Sequence, residues 1–464
     1  MLVEGPNGHD GPGENGDFVD ALIESVEGLP RLTRFGRVAR VEGLLVEVTG
    51  ASGAIGLGGR LHIAGVEARQ TPCEVVGFRD GRALAMPFGQ LDGITLGARA
   101  TFEERVFAIY PSMDWLGRVV DAFGHATDGK GQLGYGMAPY TLRASPPPAA
   151  ARARVAGKLD LGVRALNAFA TCCKGQRMGI FAGSGVGKSI LMAMIARNTD
   201  ADVTVIALVG ERGRELKEFI EDDLGPEGLA KSVIVAATSD EAPLTRRQAA
   251  FVAMAIAEYF RDQGLHVLLL MDSVTRFAMA QREIGLSAGE PPSSKGYTPT
   301  VFAELPRLLE RAGPGHAGTT GSITGLFTVL VEGDDHNEPI SDAVRGILDG
   351  HIVLDRAIAE RGRYPAVNVL KSLSRAMPQC NAEPEQAIVQ EARSQLAVYE
   401  DMAELIRLGA YRSGTNPEVD CAMRLYPALE AFLTQRKEER TSLASGYAAL
   451  SKILESVPPK GSAR

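Results

Sequence analysis

A glycine-rich turn near the middle of the chain constrains the fold more than any other feature: Ile180-Phe181-Ala182-Gly183-Ser184-Gly185-Val186-Gly187-Lys188-Ser189, followed by the apolar run Ile190-Leu191-Met192-Ala193-Met194-Ile195. An apolar strand, a glycine turn and Gly-Lys-Ser opening a helix make a phosphate-binding loop, in which backbone N–H groups and a helix N-terminus surround an anion. Gly183, Gly185 and Gly187 permit backbone conformations that a Cβ forbids and let the chain approach phosphates closely. Ser184 and Val186 complete the turn, Lys188 reaches the β- and γ-phosphates, and the Ser189 hydroxyl ligates Mg2+. Ala182 stands where the strict pattern has its first glycine, and as the smallest replacement it reads as a variant. A loop of this kind needs a strand before it and a helix behind it, so its domain is α/β.

The flanking sequence agrees. Between residues 151 and 380, strand-like runs (Arg177–Phe181, Val203–Val209, Ser232–Ala236, His266–Met271, Ile323–Val331) alternate with helical ones (Ser189–Arg197, Glu211–Asp222, Leu244–Arg261, Val274–Ile284, Phe302–Arg311). Near-continuous apolar strands between helices predict a parallel sheet covered on both faces. Residues 31–107 have another texture, with β-prone runs such as Val41–Val48, Arg60–Ile63 and Cys73–Phe78 separated by glycine, and Asp80-Gly81 as a hairpin signal. They predict a small β-barrel. Residues 108–150, loop-rich and ending in Pro146-Pro147-Pro148, read as a linker region. Residues 381–464 predict a helical C-terminal domain from Glu385–Leu408, Pro417–Gln435 and Thr441–Glu455. Within residues 1–30, Met1–Asp17 is too rich in glycine and proline to order itself, and Phe18, Leu22 and Val26 line one side of a short amphipathic helix. That helix suits its own domain, a partner or a membrane surface equally.

Composition excludes several classes of function. A net charge of −8 with a pI near 5.6 argues against a nucleic-acid binder. Five cysteines, scattered and without a Cys-x-x-Cys pair, give no zinc or redox framework and fit a reducing compartment. With no membrane-length apolar run and no leader pattern, the expectation is a cytoplasmic protein.

Hydrolysis needs more than a phosphate loop: a carboxylate for the metal, a group for the attacking water and a counter-charge. Asp272 ends the run His266-Val267-Leu268-Leu269-Leu270-Met271, and an acid at the C-terminal tip of a buried parallel strand lies where open α/β sheets bind ligands. Glu211, in Val209-Gly210-Glu211-Arg212-Gly213-Arg214-Glu215, follows a second strand and is placed to orient or deprotonate water. Taken alone, that charged run reads first as a solvated face; its place at a second strand end, with Arg212 beside it, turns the reading toward function.

Together with the loop, Gly210–Glu215, the run Leu269–Phe277, Gly117–Gly124 and Tyr364-Pro365-Ala366-Val367 resemble the catalytic subunits of the rotary ATPase family. More narrowly, Pro291–Phe302 continuing to Leu305–Gly313, and Ile347–Leu354, resemble the type III export ATPases, the flagellar ones above all. The resemblance spans Leu32 to Glu455. It implies a RecA-like core between a β-barrel and a helical domain, and it implies site residues by position. Lys188 and Ser189 hold phosphate and Mg2+, Glu211 serves the water, Arg212 and Arg276 brace the phosphates, and Tyr364 packs on adenine. Arg375, in Ser372-Leu373-Ser374-Arg375, resembles the finger that one subunit inserts into its neighbour's site. Phe432 is a further aromatic for the base, with core packing the stronger reading.

The activity implied is Mg-dependent ATP hydrolysis by a homo-oligomeric ring, a hexamer, that energises flagellar protein export. The implied partners are an export-apparatus regulator, a stalk protein, the membrane export gate, and export substrates with their chaperones, with peripheral attachment to the inner membrane. A virulence-type secretion ATPase and the catalytic subunit of a rotary ATP synthase are the alternatives. The C-terminal domain lacks the acidic Asp-Glu-Leu-Ser-Glu-Glu-Asp stretch typical of the synthase β subunit.

Overall fold

The computed structural model describes residues 33–456 apart from Ser52, Glu67, Ala68, Glu332, Asp334, His336 and Asn337. The tail and amphipathic helix expected within residues 1–30 lie outside the described residues.

Six strands, β1 (Phe35–Glu42), β2 (Leu45–Thr49), β3 (Arg60–Ala64), β4 (Gln70–Arg79), β5 (Arg82–Pro87) and β6 (Arg99–Phe102), close into a barrel in the order β1-β2-β5-β4-β3-β6. Asp80 and Gly81 join β4 to β5 with φ of 50° and 75°, the pair of left-handed residues that lets a two-residue turn follow the strand twist. Alternate side chains, among them Val46, Val48, Leu61, Ile63 and Val75, fill the barrel.

Residues 108–150 are built into the fold and do not act as a linker. β7 (Ala108–Ile109) pairs with β9 (Tyr140–Thr141), and between them β8 (Arg118–Val120) forms the edge strand of the central sheet. Ile109, Trp115, Val120, Ala122 and Leu142 are buried in one core with that sheet. Trp115 Nε1 donates to the Gly134 carbonyl at 2.8 Å, and Arg118 grips Asp128 with two bonds of 2.7 and 2.9 Å that hold its carboxyl well below the usual range.

β10 (Ala156–Leu159) and β11 (Cys172–Lys174) form an antiparallel ribbon that leads into the sheet. The sheet itself contains β12 (Arg177–Ala182), β13 (Val203–Glu211), β14 (Ser232–Thr238), β15 (His266–Asp272), β16 (Gly313–Pro314), β17 (Ser322–Leu330), β18 (Gly350–Leu354) and β19 (Leu373–Ser374). Its order is β19-β18-β12-β17-β15-β13-β14-β8, with β16 off that path on β17 and every pairing from β18 to β8 parallel. Both faces are buried with period two. Val203, Val205, Ala207 and Val209 of β13 enter one core, while Ile206 and Leu208 enter the other. Each of these valine, isoleucine and leucine side chains contributes about 1.5–3 kcal/mol on burial.

The principal helices are α1 (Lys188–Asn198), α2 (Pro243–Asp262), α3 (Val274–Ala288), α4 (Pro299–Leu309), α5 (Glu383–Arg407), α6 (Pro417–Leu433) and α7 (Leu443–Glu455). Helices α2, α3 and α4 cover the first face; α1 and the C-terminal helices cover the second. Local signals set the ends of α3: the Ser273 hydroxyl accepts from the Arg276 N–H, and Gly289 terminates it at φ 92°. The helix expected over Glu211–Asp222 begins two residues later, because β13 runs on through Glu211, and its second half is a π-helical turn over Phe219–Leu224.

Candidate active site

The loop leaves β12 at Ala182, which is fully buried and paired with Leu330 and Leu354 on either side. The position where the strict motif has glycine is thus still strand, and a methyl fits it. Left-handed backbone begins further on, at Gly185 (φ 76°) and Gly187 (φ 90°). A Cβ on Gly187 would meet the Tyr364 ring at 3.3 Å, so this glycine is also required by close approach. Tyr364 is half-exposed at the mouth of the loop, and its carbonyl accepts from the Gln435 N–H at 2.9 Å.

Strand order then gathers the chemistry. β12, β17, β15 and β13 are consecutive neighbours, so Lys188, Thr328, Asp272 and Glu211 meet at one edge of the sheet. Lys188 Nζ is bound to Asp272 Oδ1 and lies 3.7 Å from Glu211 Oε1. Thr328, fully buried, donates to the same Asp272 oxygen at 2.8 Å. Glu211 Oε1 is buried and has no hydrogen-bond partner among the described residues. Burial, reinforced by Asp272 and partly offset by Lys188, pushes the Glu211 carboxyl up to about 7. The stem of Arg276 packs within 3.1–3.5 Å of where a Gly210 side chain would start, and its guanidinium helps restrain that rise.

Other expected residues fall elsewhere. Arg212 points into solvent, with 81% of its side chain exposed, and pairs with Glu215 at 3.5 Å. β13 ends at Glu211, and Arg212 caps the helix that follows. Arg375 is exposed at the opposite edge: its N–H donates to the Asp349 carbonyl, and the Asp349 N–H to that of Arg177, the first residue of β12. The six residues of β12, roughly 20 Å, separate it from its own loop. Phe432 is buried edge-on against Phe169 at 6.5 Å and belongs to the core. Thr328 escaped the sequence reading, although a hydroxyl in the apolar second half of its strand was its signal.

Ser189 lies exposed in the first turn of α1, beside Lys188 and across from Asp272. A hydroxyl, a carboxylate and the unbonded Glu211 oxygen are hard oxygen donors of the kind Mg2+ accepts together with phosphate.

The comparisons fit this arrangement. Residues 162–374 match the nucleotide-binding domain of the ATP synthase alpha/beta family, residues 38–103 its β-barrel domain, and residues 382–452 the T3SS EscN ATPase C-terminal domain. The flagellum-specific ATP synthase of Caulobacter vibrioides is 58% identical over 440 residues, which cover 94% of this chain and 99% of that protein. The chain belongs to the ATP synthase alpha/beta family, in its flagellum-specific branch. A second member, the flagellum-specific ATP synthase of Bacillus subtilis, is 49% identical over 433 residues, covering 93% and 98% of the two chains. Among solved structures, assembled EscN in complex with its central stalk EscO, from enteropathogenic E. coli, superposes with a TM-score of 0.82 at 38% identity, covering 90% of this chain and 100% of that one. As a member of this family the chain is an ATPase, with the barrel, parallel sheet and helical region that the family shares.

Proposed function

We propose that this ATPase is the subunit of a homohexameric ring that hydrolyses Mg-ATP to energise flagellar protein export. One observation carries the reading: Lys188, Asp272, Glu211 and Thr328 converge behind the loop, while Arg375 lies beyond the far end of β12 from its own loop, a position that suits a role toward another subunit. ATP seats its phosphates on the N–H groups of Gly183–Ser189, and Lys188 moves from its carboxylates to the β- and γ-phosphates. Tyr364 offers its ring to the adenine. Ser189 and Asp272 are the residues to hold Mg2+, which spreads the charge developing on the γ-phosphate when bound. Glu211, with its Oε1 lacking a hydrogen-bond partner among the described residues and its carboxyl poised near neutrality, takes the water's proton or orients it. Arg276 steadies that carboxylate. Arg375 from the neighbouring subunit supplies the remaining positive charge.

Flagellar rather than virulence export is favoured by the names of the most similar relatives. The EscN complex supports a ring around a stalk protein. A regulator, the export gate, cargo and chaperones complete the proposed partners, at the cytoplasmic face of the inner membrane. The test is the specific rate of Mg-ATP hydrolysis across a hundredfold range of protein concentration, with mass measured in parallel. A rate that climbs as rings form is the expected result; a flat rate would remove the shared site.

A further inference from the structure

A single short segment carries both Tyr364 and Arg375. It starts beside the loop, where Leu354 of β18 pairs with both Ala182 and Val367, and returns antiparallel along β18, with Leu373 opposite His351 and Ser374 opposite Gly350. Between these two pairings the chain makes a turn over Val369–Lys371. Local bonds shape that turn: Asn368 Oδ1 accepts from the N–H groups of Leu370 and Lys371 at 3.2 and 3.0 Å. Ser372 Oγ donates to the Asn368 carbonyl at 2.7 Å and accepts from the Val353 N–H at 3.0 Å.

The C-terminal helices then fix the segment from outside. Arg363, just before Tyr364, pairs with Glu430 of α6 at 3.3 Å. At the turn, a single nitrogen of Arg393 in α5, Nη2, donates to the Val369 carbonyl and, at 2.6 Å, to the Ser372 carbonyl. Arg393 makes poor use of its charge. Its Nε is buried without a hydrogen-bond partner among the described residues, and burial lowers the guanidinium. A buried cation held by carbonyls carries a desolvation penalty that an apolar side chain of like volume avoids. What the arginine adds is position. Ser372 lies three residues before Arg375, whose exposed side chain takes its direction from its backbone. From there Ser374 Oγ bonds the Thr171 carbonyl at 2.8 Å, and the Arg375 N–H bonds that of Asp349 at 2.9 Å.

We propose that Arg393 is a positioning residue for hydrolysis at the neighbouring subunit's site: its hold on the Val369 and Ser372 carbonyls sets the stretch of backbone from which Arg375 extends. The inference rests on the intersubunit role of Arg375 proposed above. It makes α5 the support of that arginine, so a defect at position 393 appears one subunit away from the substitution.

The test uses full-length Arg393→Met, which keeps an apolar stem and removes both bonds. Its ring should lose on the order of 10²-fold in kcat, as small misplacements of a reacting group do, with KM for Mg-ATP and the mass of the ring unchanged. Mixed with Glu211→Gln, it should regain activity, because the second variant presents a well-held Arg375 to an intact Glu211. Damage confined to its own subunit's site would not be repaired in this way. Arg393→Gln, too short to reach both carbonyls, carries the same mixing test if the methionine variant does not assemble. An unchanged kcat, or a loss that mixing fails to restore, would overturn the inference. Arg375→Ala mixed with Glu211→Gln runs beside it: no recovery there would remove the shared site and this inference together, whereas recovery there alone would remove only the role of Arg393.

Discussion

Glu211 shows how one side chain carries both chemistry and a cost to the fold. Its carboxyl is raised from the ordinary 4.5 to about 7, so below that pH it is protonated and can no longer accept a proton from water. The acid limb of kcat/KM for the free enzyme should therefore have its midpoint near 7. Glu211→Gln should keep nucleotide affinity, lose about 10²–10⁴ in kcat, and flatten that limb. The same shift has a sign for stability. A raised carboxyl favours the nucleotide-free fold below its ordinary value, and that contribution is lost as pH rises through about 7. The unfolding temperature of Glu211→Gln should thus exceed the parent's at pH 8, by a margin that narrows on acidification. Thr328 acts one step back, through the Asp272 oxygen it holds. Thr328→Val keeps the volume and removes the donor, and should cut Mg2+ affinity by about 10–100-fold, as losses of such supporting bonds do, with ATP binding in the absence of Mg2+ unchanged. Titration of Mg2+ against nucleotide-bound protein reads the difference.

At the scale of elements, what could be read depended on length and locality. The long apolar strands β13, β15 and β17 and the amphipathic helices between them announced themselves by periodicity, and Asp80-Gly81 marked its hairpin by turn chemistry. β8 did not, because three residues hold too little alternation to recognise and their partner β14 is remote in sequence. The region around it therefore looked like a linker although its side chains complete a core. Trp115 is the test of that placement: it is the chain's single tryptophan, 4% exposed, and hydrogen-bonded. Trp115→Ala should cost about 3–5 kcal/mol in denaturant unfolding followed by circular dichroism. A linker residue would cost almost nothing.

The whole molecule places Arg375 and the loop on opposite edges of one sheet, the arrangement from which the shared site was proposed. In the proposed ring, each edge would meet its neighbour's counterpart. Arg375→Ala should bind nucleotide and assemble normally, yet lose about 10³–10⁵ of the assembly-stimulated rate. Mixing it with Glu211→Gln offers a sharper measurement. At interfaces where an intact Arg375 faces an intact Glu211, the mixture regains activity that neither variant has alone, and only a site shared between subunits predicts that recovery.

The sequence by itself determined the loop, the strand-end acids, the order of barrel, sheet and helices, and the turn at Asp80-Gly81, because each follows from residues adjacent along the chain. The tertiary structure decided everything that depends on which strands become neighbours. Placing β17 between β12 and β15 gave Asp272 its Thr328 donor, ending β13 at Glu211 sent Arg212 into solvent, and the return of the chain after β18 left Arg375 across the sheet. Local pattern fixes what a segment forms and which face it buries, whereas strand order is settled by how all the apolar faces can be covered at once.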